Sequence, residues 1–528
     1  MSETTRTVVI GQHVRLEDVH AVAQGRAHVT LDSNVRDSLQ GARDELLSDL
    51  DEGETIYGVN TGFGALSDTR IPDDRIEELQ RNLLRSHAVG VGPHLGAPVV
   101  RALLLLRAHT LSLGACGASP ALLEHILAVL SRGIVPIVPS QGSVGASGDL
   151  APLAHLALPL IGEGEAWVDS ERVPGRVALA KVGLEPFVLG PKEGLSLING
   201  TQVTSAIGGL ATWSAAEVLA TADVVGAMSL DAGLNTKAAF DPRIHAGKPH
   251  PGQIHTADVV RDLVTDSPLV QSHADCDEVQ DAYSIRCMPQ VHGAVRGALA
   301  YVHGALDVEL NSFTDNPLVL AREGGGYDVV SGGNFHASTV AVPLDHLAAA
   351  MTTLATISER RLDRFMSPST SRGLPPFLAD DPGVESGFMM AQVTAAALAS
   401  ECKSLSFPAS VDSIPTSAGK EDHVSMGPIA ARKLTRVVHN VAKVLAIEAA
   451  IAARALDLRK HPTTPRLIGV YDAIRRHVPP HTGDRSMGEE LETLAEAILQ
   501  GELRKAALLE HEFDGDDLNA RTGERTGC

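Results

Sequence analysis

Residues 142–165 read GSVGASGDLAPLAHLALPLIGEGE. Three glycines and two serines fall in the first seven positions, and an apolar run follows from Leu150 to Leu160. That pattern describes a tight loop feeding directly into a buried helix. Glycine amides at a helix N-terminus can hold an anion. The P-loop pattern is absent, because no Lys-Ser/Thr pair follows the glycines. The Gly-x-Ser-x-Gly nucleophile elbow is absent too, because Ser147 is followed directly by Gly148. Ala146-Ser147-Gly148 is small enough to close on itself: the Gly148 nitrogen attacks the Ala146 carbonyl and two waters leave, one from the Ser147 side chain. Such a ring, a methylidene-imidazolone, is an electrophile that needs no added cofactor.

Outward from this loop the helical signals dominate. Pro72-Asp73-Asp74 opens a helix with Ile76, Leu79 and Leu83 on one face. Ser119-Pro120 caps another, with Leu122, Leu123, Ile126, Leu127 and Leu130 inward and Gly133 as its stop. The clearest long segment is Gly427 to Leu458, striped by Leu434, Val437, Val438, Val441, Val444, Leu445 and Ile451. The first 35 residues read as short strands and turns, with Val8–Ile10 and Ala27–Leu31 β-prone. Asp241 to His255 reads as a Pro/Gly/His loop. The expectation is a mainly α protein: an N-terminal domain over 1–200 carrying the 146–148 loop, a long-helix bundle over 201–512, and a loose tail over 513–528.

Composition narrows the function classes. Of 528 residues, 65 are acidic and 44 basic, for a net charge of −21, and no basic block is present. Nucleic-acid and anionic-membrane partners are therefore not expected. The richest apolar stretch, Val99 to Leu113, is interrupted by Arg101, Arg107 and His109, and no run reaches the ~18 residues that span a bilayer. Five scattered cysteines without a Cys-x-x-Cys fit reduced thiols in the cytoplasm. Cys287 and Cys402 read as core residues. His245, His250 and His255 are evenly spaced, but no metal site is expected from them.

Other motifs accompany the loop. They are Ile56-Tyr57-Gly58-Val59-Asn60-Thr61-Gly62-Phe63-Gly64, Asn199-Gly200-Thr201-Gln202, Gln280-Asp281-Ala282-Tyr283-Ser284-Ile285-Arg286-Cys287, Ser331-Gly332-Gly333-Asn334-Phe335-His336 and Ser417-Ala418-Gly419-Lys420-Glu421-Asp422-His423. Together with residues 142–165, and in this order from about residue 55 to 430, they resemble the aromatic amino acid ammonia-lyase family. The resemblance implies a methylidene-imidazolone formed from Ala146, Ser147 and Gly148, no other cofactor, and a homotetramer whose active sites are shared between chains.

It also implies roles. Tyr57 is the base for the β-proton, although Glu421 could take that proton instead. Tyr283 belongs at the active site, from a neighbouring subunit. Arg286 suits the substrate carboxylate, because its planar fork gives two parallel charge-assisted bonds. Gln280 is placed with it as a substrate-binding residue. Asn199 would hydrogen-bond the ring oxygen or the substrate, and Phe335 would form an apolar wall. Ser86-His87 and Glu421 resemble the histidine-acting members: an imidazole and a carboxylate can both hydrogen-bond a polar substrate ring. The expected reaction is non-oxidative loss of ammonia from L-histidine to give trans-urocanate, the first step of histidine degradation. Attack on the electrophile by substrate amine or by ring is equally compatible with these motifs. The alternative is a tyrosine ammonia-lyase or an aromatic amino acid aminomutase on the same scaffold.

The sequence departs from the family pattern at Lys420, which stands where Gln is usual, and at Ala282, Met288 and His292. A cation at 420 could tune Glu421 or point to solvent. A rival from another class makes Lys420 a pyridoxal-phosphate lysine, with residues 142–148 cradling the phosphate.

Overall fold

A computed structural model describes residues 6–62, 64–66, 68–273 and 278–513. Phe63 and the tail beyond Phe513 lie outside the described residues. Helices hold 58% of the described residues and the sheets among them have two or three strands each, so the architecture is mainly α. The chain forms two compact units. One is built from Met1–Leu210, His303–Leu344 and Pro408–Arg432; the other from Ala211–Val302, Asp345–Phe407 and Lys433–Cys528. The boundary expected at residue 200 was drawn along the chain, whereas contacts gather three separate segments into each unit.

In the first unit, strands Arg6–Ile10 and Ala27–Leu31 pair in parallel, with Val8 opposite Val29. Parallel strands need a crossover, and the helix Leu16–Ala23 supplies it, where the sequence reading expected only strands and turns. The helix Ala97–Ser112 is buried on every face from Ala102 onward, which makes it a core element rather than an amphipathic one. Ser119 caps Pro120–Ser131 by accepting the Leu122 amide. A short 3-10 turn at Asp73–Arg75 leads into Ile76–His87. The 142–149 loop opens the helix Leu150–Ala157, and a 3-10 turn carries the apolar run on to Ile161.

The second unit holds most of the helix Gly427–Asp457, whose seven expected stripe residues are all fully buried. Burial of each such side chain contributes roughly 1.5–3 kcal/mol, so packing rather than propensity holds the helix. Asp241 to His255 is not a loop. Helices Pro242–Ala246 and Pro251–Leu263 occupy it, each with a proline at its first turn, where a missing amide hydrogen costs nothing. His245 is buried between the Ala239 carbonyl (3.1 Å) and Gln253 (2.9 Å). The helix Ser338–Asp363 is long and apolar enough on average to cross a bilayer, although Asp345 and His346 interrupt its apolar run, and 67% of its most apolar 18-residue window is buried inside the protein.

Charges run through this second interior. Glu448 Oε1 accepts from Arg361 Nε (2.7 Å) and Ser229 Oγ (2.7 Å), and Oε2 accepts from Arg361 Nη2 (2.9 Å) and Ser358. Arg361 Nη1 also donates to His292 Nε2 at 3.3 Å. His292 therefore carries its proton on Nδ1 and donates it to Asp223 at 2.6 Å. The departure at 292 is thus a structural one. Removing a single partner from a buried pair leaves the other charge uncompensated, at a cost of about 3–5 kcal/mol. Glu448→Ala is expected to lower the thermal unfolding midpoint sharply, and the double variant Arg361→Met/Glu448→Leu to recover part of the loss. Melting followed by circular dichroism checks both; an unchanged midpoint in Glu448→Ala would count against the pairing.

Candidate active site

The tyrosine loop is shaped by side chains bonding to backbone. Asn60 accepts the Ile56 amide (2.8 Å) and donates to the Glu54 carbonyl (2.7 Å), and Thr61 accepts the Gly58 amide (3.0 Å). Gln80, buried on the helix Ile76–His87, donates to the Gly58 carbonyl (3.2 Å) and accepts from the Leu195 amide (3.1 Å). The result fixes Tyr57, whose phenol oxygen accepts the Gly64 amide at 3.2 Å. With an N–H already on that oxygen, the hydroxyl hydrogen is free to point elsewhere.

Two backbones meet at the electrophile loop. Gly148 has φ +78°, and a Cβ there would lie 2.3 Å from the Gly200 carbonyl oxygen and 2.7 Å from its carbonyl carbon and nitrogen. Only glycine fits. The Gly200 oxygen accepts the Asp149 amide at 2.8 Å. The Asn199 side-chain amide donates to the Ser147 carbonyl oxygen at 3.0 Å. The other Asn199 side-chain atom, Oδ1, is buried without a hydrogen-bond partner among the described residues.

Asp149 is fully buried and accepts the Thr204 amide (2.8 Å) and hydroxyl (3.2 Å). Burial pushes its carboxyl up to about 7, against the pull of those two bonds. The helices Leu150–Ala157 and Gln202–Ala232 both start beside this loop, and the Met426 amide donates to the Val144 carbonyl (2.9 Å) just before Gly427–Asp457 begins. Helix N-termini therefore converge on 144–149, an environment that favours negative charge.

Ser147 Oγ donates to Glu421 Oε1 at 2.7 Å. Glu421 sits just after a strained turn, with Ser417 at φ +51° and Ala418 at φ +55°. A cavity of about 560 Å³ is lined by Tyr57, Ser86, His87, Ser147, Asn199 and Glu421, with apolar walls that include Leu66, Leu79, Leu83 and Ile198. His87 Nδ1 lies 2.9 Å from the Leu83 carbonyl, so it donates there and leaves Nε2 as an acceptor. Burial lowers the His87 pKa, opposed by that hydrogen bond and by the Glu421 charge. Lys420 is exposed and does not line the cavity. It is thus not placed to serve as an internal Schiff-base lysine there.

Ala146 and Gly148 flank Ser147 without lining this cavity, and four further expected residues do not line it either. Phe335 is half-buried elsewhere in the first unit. Gln280, Tyr283 and Arg286 belong to the second unit. Tyr283 is 73% exposed with the Arg286 guanidinium 5.2 Å from its ring centre, and Arg286 Nε donates to the Asp281 carbonyl at 2.9 Å. Tyr283 and Arg286 share the short helix Tyr283–Arg286, whereas Gln280 and Phe335 lie outside helices, and local motifs carry nothing about which cavity any of them faces. Sequence reading also missed Asn316, which lines the cavity and accepts the Gly332 amide at 2.8 Å. Its signal was the turn-forming Asp315-Asn316-Pro317.

With this geometry in place, the similarities to known proteins are consistent. The aromatic amino acid lyase family model matches residues 14–476. A histidine ammonia-lyase of Sorangium cellulosum is 50% identical over 503 residues, covering 94% of this chain and 98% of that protein. Among solved structures, a tyrosine aminomutase from Streptomyces globisporus superposes with a TM-score of 0.90 at 36% identity, covering 97% of this chain and 100% of that one. Histidine ammonia-lyase from Trypanosoma cruzi gives 0.88 at 39% identity, with 96% of each chain covered. The match runs through both units and through every motif around the cavity, and the chain belongs to the aromatic amino acid lyase family.

Proposed function

We propose that this chain is a histidine ammonia-lyase, converting L-histidine to trans-urocanate and ammonia. The observation that carries the proposal is the meeting of Ser147, Asn199, Tyr57, His87 and Glu421 on one cavity. Residues 146–148 fit the electrophile: the Gly148–Gly200 approach admits no side chain, and the oxygen that Asn199 holds, Ser147 O, is the one that survives as the ring carbonyl. When formed, the methylidene-imidazolone supplies an electrophilic carbon to which the substrate amine or ring can add. Asn199 draws electron density toward that carbonyl oxygen by donating to it. Glu421 meets the Ser147 hydroxyl that must leave.

Substrate choice follows from two acceptors. Neutral His87 offers Nε2 and Glu421 a carboxylate: a neutral imidazole can donate to one of these acceptors and an imidazolium to both, whereas a phenyl ring satisfies neither and a phenol only one. We assign the β-proton to Tyr57 and the substrate carboxylate to Arg286. Since Gln280, Tyr283 and Arg286 line no part of this chain's cavity, we propose that a second copy supplies them, and with them a cytoplasmic homotetramer with shared sites. The three described cysteines, Cys116, Cys287 and Cys402, are free, as a reducing compartment allows.

Ultraviolet absorbance of urocanate after addition of L-histidine tests the substrate. Turnover of histidine should far exceed that of tyrosine or phenylalanine; faster loss of tyrosine, or a β-amino acid as the main product, would overturn the assignment. Tyr57→Phe should lower kcat by roughly 100-fold to 10,000-fold with little change in KM. A change confined to KM would make Tyr57 a binding residue instead.

The pH dependence has a definite sign. The pKa of His87 is lowered, so its neutral form holds at neutral pH and is lost only as pH falls below the ordinary histidine range. Protonation converts Nε2 from acceptor to donor. Titration of His87 should therefore raise KM for L-histidine on the acid side, and His87→Gln should remove that rise. Steady-state kinetics of both proteins across pH 5 to 8 decide this; identical profiles would exclude His87 as the acceptor.

A further inference from the structure

The helix Ala97–Ser112 carries a guanidinium that the chemistry above does not use. Arg107 is 1% exposed. Its Nη1 donates to the Asn199 carbonyl at 2.7 Å, while Nε and Nη2 have no hydrogen-bond partner among the described residues. No carboxylate among them forms an ion pair with it. Asp315, whose charge it feels, is already engaged by Lys192 (2.6 Å), Ser196 (3.1 Å) and the Asn316 amide (2.7 Å). An arginine kept only for packing would be met by an acid, because an unpaired buried charge is strongly unfavourable.

What Arg107 does touch is the peptide against which the electrophile loop is pressed. A Cβ on Gly200 would lie 3.2 Å from Arg107 Nη1, 2.8 Å from Thr314 Oγ1 and 2.4 Å from Gln202 Oε1, so the Arg107 fork helps to wall in this peptide. The same peptide segment accepts the Asp149 amide, packs on Gly148 and aims the Asn199 side chain at Ser147 O. We propose that Arg107 is a positioning residue for ring closure at 146–148, a role that rests on the electrophile assigned above. It locks the Asn199–Gly200 peptide, and the Asn199 side chain and the Gly200 oxygen that flank this peptide hold 147–149 in the turn from which Gly148 can attack.

The step balances without any oxidant. The Gly148 nitrogen bonds to the Ala146 carbonyl carbon. The Ala146 oxygen leaves as water with one proton from the Gly148 nitrogen and one from the Ser147 nitrogen, leaving a C=N bond to Ser147. The Ser147 hydroxyl then leaves with the Ser147 α-proton as the second water, giving the exocyclic double bond.

Intact mass, measured at intervals after synthesis of the full chain, reads this directly. Wild-type protein should become lighter by two waters. Folded Arg107→Met, judged by gel filtration and circular dichroism, should remain at its encoded mass. Arg107→Lys, which keeps the charge but loses the fork, should mature roughly 10-fold to 100-fold more slowly. The double variant Arg361→Met/Glu448→Leu, which removes a buried arginine of the second unit together with its carboxylate partner, should mature at the wild-type rate. Folded Arg107→Met that loses two waters as fast as wild type would overturn the role. If Arg107→Met does not fold, Arg107→Lys decides, and an unchanged rate overturns it. Wild-type protein at full encoded mass would instead sink the electrophile itself.

Discussion

Gly148 cannot come this close to the Gly200 backbone unless it lacks a side chain, and that contact constrains everything around it. Gly148 against Gly200 leaves no room for a Cβ on the electrophile loop. It brings the loop to the start of Gln202–Ala232, and the Asp149 amide to the Gly200 oxygen starts Leu150–Ala157 in the same place. The helices are oriented by a backbone contact, and their N-termini favour negative charge at the loop. A ring formed there would sit in a field already arranged, with little reorganisation during reaction.

Much of this was legible in the chain. Ser119 with Pro120 marked a helix start, and the apolar stripe from Leu434 to Ile451 marked a buried one, because capping and periodicity are local properties. Tyr57, His87, Asn199 and Glu421 were found through their motifs, and the fold brings them to one cavity. The same local reading failed at Asp241 to His255, where prolines that open helices were taken for loop residues. Arg107 left a trace as a charge interrupting an apolar run, but its partner, the Asn199 carbonyl, is 92 residues away. No local rule supplies such a contact.

The proposed recognition of the substrate ring depends on which proton each acceptor lacks. The Leu83 carbonyl fixes the His87 tautomer, and burial keeps the ring neutral, so a histidine that could have been a cation is an acceptor instead. Glu421 is held by Ser147 and by the Thr416 hydroxyl (3.3 Å) rather than by Lys420. The unusual lysine therefore leaves the carboxylate facing the cavity. The carboxylate role proposed for Arg286 is a separate matter, since a single chain's cavity lacks that side chain. Assembly and catalysis would then be one requirement.

The most direct test of a self-made electrophile is a high-resolution crystal structure of protein that is turning over L-histidine. The account predicts a closed five-membered ring at 146–148, with a planar methylidene in place of the Ser147 hydroxymethyl group and the Asn199 amide on the ring oxygen. Continuous open backbone through Ala146, Ser147 and Gly148 in such active protein would contradict it.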